Sequence, residues 1–149
     1  MKEVTLYADG ACSRNPGPGG WGAVLLYGDR IKKISGFNPE TTNNIMEMTA
    51  VIEGMSVLKE KCKIDIYTDS KYVVDSATMW LLNWQKNGWK TSAKKPVKNI
   101  ELWKKIIELS AFHHTKWYWV KGHDGNKYNE ECDEMARNEI LSNNDSKQQ

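Results

Sequence analysis

The sequence predicts an α/β protein built on one mixed β-sheet with helices packed against it. Three observations carry that expectation. Strand-period segments gather before residue 40, helix-period segments alternate with strand-like ones after it, and no linker or internal repeat divides the 149 residues. A chain of that length buries one ordinary core, not two.

The first strand is expected over residues 4–9, where Val4, Leu6 and Ala8 alternate with Thr5, Tyr7 and Asp9, so that Asp9 projects opposite the apolar face. Residues 15–20, Asn-Pro-Gly-Pro-Gly-Gly, read as a loop, because proline fixes φ and glycine accepts strained conformations. Strands over 21–27 and 31–37, joined at Gly28-Asp29, complete an antiparallel meander. Asn43 or Asn44 is placed to cap a helix carrying Met48, Val51, Ile52, Met55 and Leu58 at helical spacing, with Glu47 on the flank of that stripe. Residues 64–68 read as a strand with Asp69 at its C-terminal end, the end where α/β sheets place functional groups. A helix follows from within 70–74. Residues 80–98, interrupted by Gly88 and Pro96, are expected to protrude; Ile100, Trp103, Ile106 and Ile107 mark a further helix. A strand over 116–120, a loop over 122–125 and a helix with Tyr128, Cys132, Met135, Ala136 and Ile140 on its apolar face complete the domain. Its boundaries are set at 1–141, with 142–149 a polar, frayed tail.

A net charge of +2 does not by itself mark a nucleic-acid binder. Distribution is more informative: residues 76–100 contain no Asp or Glu but hold Lys86, Lys90, Lys94, Lys95 and Lys98, a local excess that suits phosphates. Three cysteines, Cys12, Cys62 and Cys132, do not make a paired disulfide framework, and the start has no leader-like pattern. A reduced, cytoplasmic protein is expected. No apolar run approaches the roughly 20 residues that span a membrane as a helix.

Any one of the 19 acidic residues is by default a solvated surface charge. Four of them stand in short, unusual contexts: Asp9 in Tyr-Ala-Asp-Gly-Ala, Glu47 in Thr-Asn-Asn-Ile-Met-Glu-Met, Asp69 in Tyr-Thr-Asp-Ser-Lys and Asp133 in Glu-Cys-Asp-Glu-Met-Ala. A fold that gathered them would make a site for hard divalent cations, since oxygen ligands suit Mg²⁺ and a bare cluster of anions is unstable. Such a site points to metal-assisted phosphodiester chemistry.

These contexts, with Asn-Pro-Gly-Pro-Gly-Gly-Trp-Gly after the first and Trp-Val-Lys-Gly-His-Asp-Gly before the last, resemble ribonuclease H of type 1 across residues 4–141. The resemblance implies a five-stranded mixed sheet with helices on both faces. It also implies endonucleolytic hydrolysis of the RNA strand of RNA/DNA hybrids by two Mg²⁺ ions, giving 5′-phosphate and 3′-hydroxyl ends, with Mn²⁺ as a substitute. It makes Asp9, Glu47, Asp69 and Asp133 the metal ligands and His123 a proton-shuttling histidine; His113 and His114, outside any such motif, read as surface residues. Asn15 and Asn43 match positions that contact RNA, Thr42 and Asn99 a pocket for a DNA phosphate, and Tyr72, Trp80 and Ser92 a DNA channel. Lys86, Lys90, Lys94 and Lys95 resemble a basic handle for the hybrid. Trp84 and Trp89, like Trp80, read equally as packing residues. A monomer without an obligate protein partner is expected.

Ile45 and Glu40 stand where relatives carry basic residues, and Gln85 where some handles have lysine, each lowering positive potential near substrate. Two rivals are an integrase-like or junction-resolving enzyme of the same fold and a non-catalytic hybrid-binding module. The Thr-Asn-Asn and Gly-His-Asp-Gly contexts oppose the first; four retained carboxylates oppose the second.

Overall fold

The structure, a computed structural model, describes residues 1–122 and 125–148. Five strands, β1 (Lys2–Cys12), β2 (Gly17–Tyr27), β3 (Arg30–Thr41), β4 (Cys62–Thr68) and β5 (His114–Trp119), form one sheet in the order β3-β2-β1-β4-β5. The β1–β2 and β2–β3 pairs are antiparallel, and β1–β4 and β4–β5 parallel. The mixed sheet is as expected.

The alternation in β1 explains why helices cover two faces. Val4, Leu6 and Ala8 join Ala23, Leu25, Ile64 and Ile66 in a core closed by Met48, Val51 and Met55 of α1 (Asn43–Ser56) and Trp103 and Ile106 of α4 (Ile100–Phe112). On the opposite face Tyr7, Tyr67 and Tyr118 stack across β1, β4 and β5, with ring centroids 4.9 and 4.8 Å apart, and Tyr128 of α5 (Lys127–Gln148) packs on Tyr7. Among the described residues no helix is long and apolar enough to cross a membrane.

Several local expectations are corrected. Residues 17–20 belong to β2 and not to a loop, because here glycine answers a packing demand: a Cβ on Gly22 would lie 2.6 Å from the Cys132 carbonyl oxygen, and one on Gly20 would collide with that of Ala136. Helix α5 therefore lies directly on β2. Thr42, not Asn43 or Asn44, caps α1, its Oγ1 accepting the Ile45 N–H at 3.2 Å. In α4, Ile106 is buried and Ile107 only partly so. The backbone of α5 is helical to Gln148. His113 is no surface residue: it is 3% exposed, and its Nδ1 accepts the Cys62 N–H at 3.1 Å. Burial lowers its pKa from the usual 6.5.

Ser70 caps α2 (Lys71–Asp75), which passes through a π-helical turn (Ser76–Trp80) into α3 (Leu81–Lys86). Beyond it the chain folds back on itself: Val97 N–H donates to the Trp89 carbonyl at 2.9 Å, Thr91 N–H to that of Lys95 at 2.8 Å, and Lys90 bridges Pro96. Thus residues 80–98 have an ordered scaffold of their own.

Candidate active site

Asp9 lies on β1 at the point where the strand meets α1. Its neighbour Gly10 permits that meeting, since a Cβ there would stand 2.5 Å from the backbone nitrogen of Glu47. Glu47, inside α1, is thereby held against Asp9. Asp69 follows β4, the strand paired in parallel with β1. The indole N–H of Trp119, at the end of β5, donates to the Asp69 carbonyl at 3.0 Å and ties down this strand end.

One carboxylate oxygen each from Asp9, Glu47 and Asp69 lies within 4.8 Å of the others. Asp9 is 3% exposed and Glu47 5%. Two unit charges 4.8 Å apart repel by about 3 kcal/mol at an effective dielectric near 20. Burial, then the Asp69 charge, raises the Asp9 carboxyl to about 8; burial, then the charges of Asp9 and Asp69, holds Glu47 well above the ordinary carboxylate range. The buried Oε2 of Glu47 also has no hydrogen-bond partner. An unpartnered oxygen among repelling carboxylates fits a hard divalent cation, which would supply the missing ligand and the missing charge.

Asp133 stands apart from this triad. It lies within α5, and its Oδ2 accepts the Nε–H of Arg137 at 3.0 Å, with Nη2 of the same guanidinium 3.0 Å away as an ion pair. Its charge still reaches the site, as one of the influences that raise Asp9. His123, and Asp124 beside it, lie outside the described residues.

The expected nucleic-acid residues fall into separate groups. Asn15 Oδ1 accepts the Asn43 N–H at 3.1 Å, so these two adjoin Thr42 at the start of α1. Asn99 donates to the Tyr72 hydroxyl at 3.4 Å, and Trp103 Nε1 donates to the same oxygen at 3.2 Å; the bonds of the described residues thus link Asn99 with Tyr72 and not with Thr42. Trp80, Lys86, Lys90 and Ser92 line one open cleft of about 300 Å³. Lys94 and Lys95 are exposed on the same protrusion. Trp80 is 46% exposed; Trp89 packs on the core, and Trp84 packs on Trp103 while also lining that cleft. A larger cleft of about 630 Å³, over Thr5, Asp65 and Lys116, contains none of the four carboxylates, so here size does not identify the chemistry.

Sequence reasoning missed Trp119 and Arg137. The second was readable, because Asp133 and Arg137 are four apart on a helix; the first was not, because no local spacing tells which carbonyl an indole will reach.

The family model described as RNase H matches residues 1–141. A "Ribonuclease H" of Ehrlichia canis (strain Jake) is 54% identical over 140 residues, covering 94% of this chain and 96% of the relative. One from Chlorobaculum parvum is 54% identical over 137 residues, covering 91% and 94%. Among solved structures, LC9-RNase H1, described as a type 1 RNase H with the type 2 active-site motif, superposes with a TM-score of 0.85 at 29% identity, over 95% of this chain and 74% of that one. LC11-RNase H1 in complex with RNA/DNA hybrid superposes at 0.73 over 93% and 97%; at 21% identity it shows the fold alone.

Proposed function

This chain belongs to the ribonuclease H family, and on that premise we propose how its residues divide the work of cleaving the RNA strand of an RNA/DNA hybrid. The activity is that of the family: an endonuclease acting on hybrids through divalent metal. The convergence of Asp9, Glu47 and Asp69 carries the reading.

Asp9, Glu47, Asp69 and Asp133 are assigned as the ligands of two Mg²⁺ ions, with Mn²⁺ as a substitute because it accepts similar oxygen ligands. When bound, such ions supply a water deprotonated at neutral pH and stabilise the departing 3′ oxygen. The protein contributes placement. Asp9 and Glu47 give up the protons that burial and crowding favour, and Trp119 holds the Asp69 backbone fixed. His123 is assigned, by family membership, to moving a proton at the scissile phosphate. The products carry 5′-phosphate and 3′-hydroxyl ends.

The amides of Asn15 and Asn43 suit a 2′-hydroxyl, which both donates and accepts hydrogen bonds. The cleft of Trp80, Lys86, Lys90 and Ser92, with Lys94 and Lys95 beyond it, suits the DNA strand and its phosphates. Tyr72 and Asn99, joined by their own hydrogen bond, and Thr42 at the start of α1 are further contacts. We place the enzyme in the cytoplasm, in keeping with three free cysteines, and as a monomer, since the triad is complete within one chain.

The test is cleavage of an end-labelled RNA/DNA hybrid beside DNA and RNA duplexes, with Mg²⁺ and with EDTA. Cleavage of the RNA strand of the hybrid, dependent on metal and lost in Asp69→Asn, supports the reading. Metal-independent cleavage, or equal cleavage of duplex DNA, overturns it.

A further inference from the structure

Three carboxylates of the site converge with no cation side chain bonded to them among the described residues, whereas the fourth has one. The Oδ2 of Asp133 accepts the Nε–H of Arg137 at 3.0 Å and lies 3.0 Å from its Nη2, one helical turn along α5. The Asp133 side chain is 18% exposed and that of Arg137 62%, so the pair reaches from the edge of the site out to solvent. Its geometry has two consequences. The Asp133 charge is already answered before any metal arrives, and one of its two oxygens is occupied. Asp9, Glu47 and Asp69 are in the opposite condition, with Glu47 Oε2 buried and unpartnered.

We propose that Arg137 is a positioning residue that competes with metal for Asp133, so that the carboxylates load in order, the triad first and Asp133 only after its pair with Arg137 loosens. The proposal rests on the assignment of these acids as metal ligands. Physically, a guanidinium holding one oxygen must be displaced or tolerated by an incoming divalent ion, and either lowers the affinity of the position that uses Asp133. An arginine–carboxylate pair four apart on a helix and open to solvent on the arginine side is weak enough to yield at millimolar metal. The arrangement separates a tightly held ion from one that exchanges readily, a useful division where the second position must be remade with each substrate.

Calorimetric titration of the full chain with Mn²⁺ tests this without reference to activity, on the wild type, Arg137→Gln, Arg137→Lys and Asp133→Asn. The wild type is expected to show a tighter and a weaker event, the weaker one absent in Asp133→Asn. Arg137→Gln should strengthen the weaker event by about threefold to tenfold and leave the tighter one within about twofold, while Arg137→Lys, which keeps the charge but not the guanidinium's Nε–H donor, falls between. Thermal melts in EDTA report whether the variants fold. A general loss of positive charge would strengthen both events alike, and a strut that holds Asp133 ready for metal would make the weaker event weaker in Arg137→Gln; either result overturns the proposal. No binding event in the wild type would instead overturn the ligand assignment, and the proposal with it.

Discussion

Without metal, the triad opposes the fold that gathers it, and Asp9→Asn should therefore stabilise the metal-free protein while abolishing its chemistry. The Asp9 carboxyl is raised to about 8 from an ordinary 3.8. A raised acid binds its proton more tightly folded than unfolded, so its contribution is fully present below pH 3.8 and is lost as pH rises through 8. At about 1.4 kcal/mol per pH unit, the full penalty above pH 8 approaches 5–6 kcal/mol for a rigid, dry site. Sharing of protons with Glu47, and water drawn in around the ionised group, reduce what remains to about 2–4 kcal/mol. For a domain of this size that is a rise of roughly 6–12 °C in Tm for Asp9→Asn in EDTA at pH 8. At pH 4 the difference should nearly vanish. Saturating Mg²⁺ should close most of that gap, because an ion bound only by the folded wild type adds about 2.7 kcal/mol at one hundred times its Kd. The assay is a matrix of melts over pH 4–9, with EDTA and with Mg²⁺, for both proteins. If the variant melts at or below the wild type in EDTA at pH 8, the triad is not electrostatically strained, and the physical case for a metal site fails.

Replacing Lys86, Lys90, Lys94 and Lys95 together by alanine should raise KM more than it lowers kcat, and reduce the slope of log affinity against log salt by about 0.7–0.9 for each phosphate that a lysine no longer neutralises; an unchanged slope rejects the handle. His113, buried and neutral, should titrate below 6.5 in an NMR pH series, and because protonation removes the acceptor of the Cys62 N–H, its contribution to stability should be lost as pH falls through that lowered value; a ring that titrates at 6.5 or above rejects the argument. Gly10→Ala should destabilise by about 2 kcal/mol or more and lower activity further still, since the added methyl would push the Glu47 backbone away from Asp9; wild-type Mg²⁺ affinity in the variant would show that the close approach does not matter.

The fold was legible where one period dominated a segment. The alternation of β1 and the apolar stripes of α1 and α4 pointed to their buried faces, because burial acts through the same spacing that the sequence displays. It was illegible where a residue answered a distant neighbour. Gly17 to Gly20 carry turn composition yet lie in β2; Gly19 accommodates Thr41 and Met46, and Gly20 accommodates α5, more than a hundred residues along the chain. His113 looked like a solvated histidine for the same reason: the Cys62 N–H that needs its ring is on another strand.

The site shows the same division at closer range. Each carboxylate was marked by its context, but the difference among them was not: Asp9, Glu47 and Asp69 converge because α1 closes on β1 at Gly10 and β4 runs parallel beside β1, whereas Asp133 comes in on α5 with its own counter-ion. Motifs specify which groups a site contains, and the energetic state of each group depends on which elements exclude water from it. Asp9 and Glu47 are closed in by sheet and helix and crowd one another, so their charge is costly until a cation arrives. Asp133 sits at the margin, where a guanidinium can reach it from solvent. Four acids alike in sequence are therefore unequal in their surroundings, and that inequality arises from packing, not from residue type.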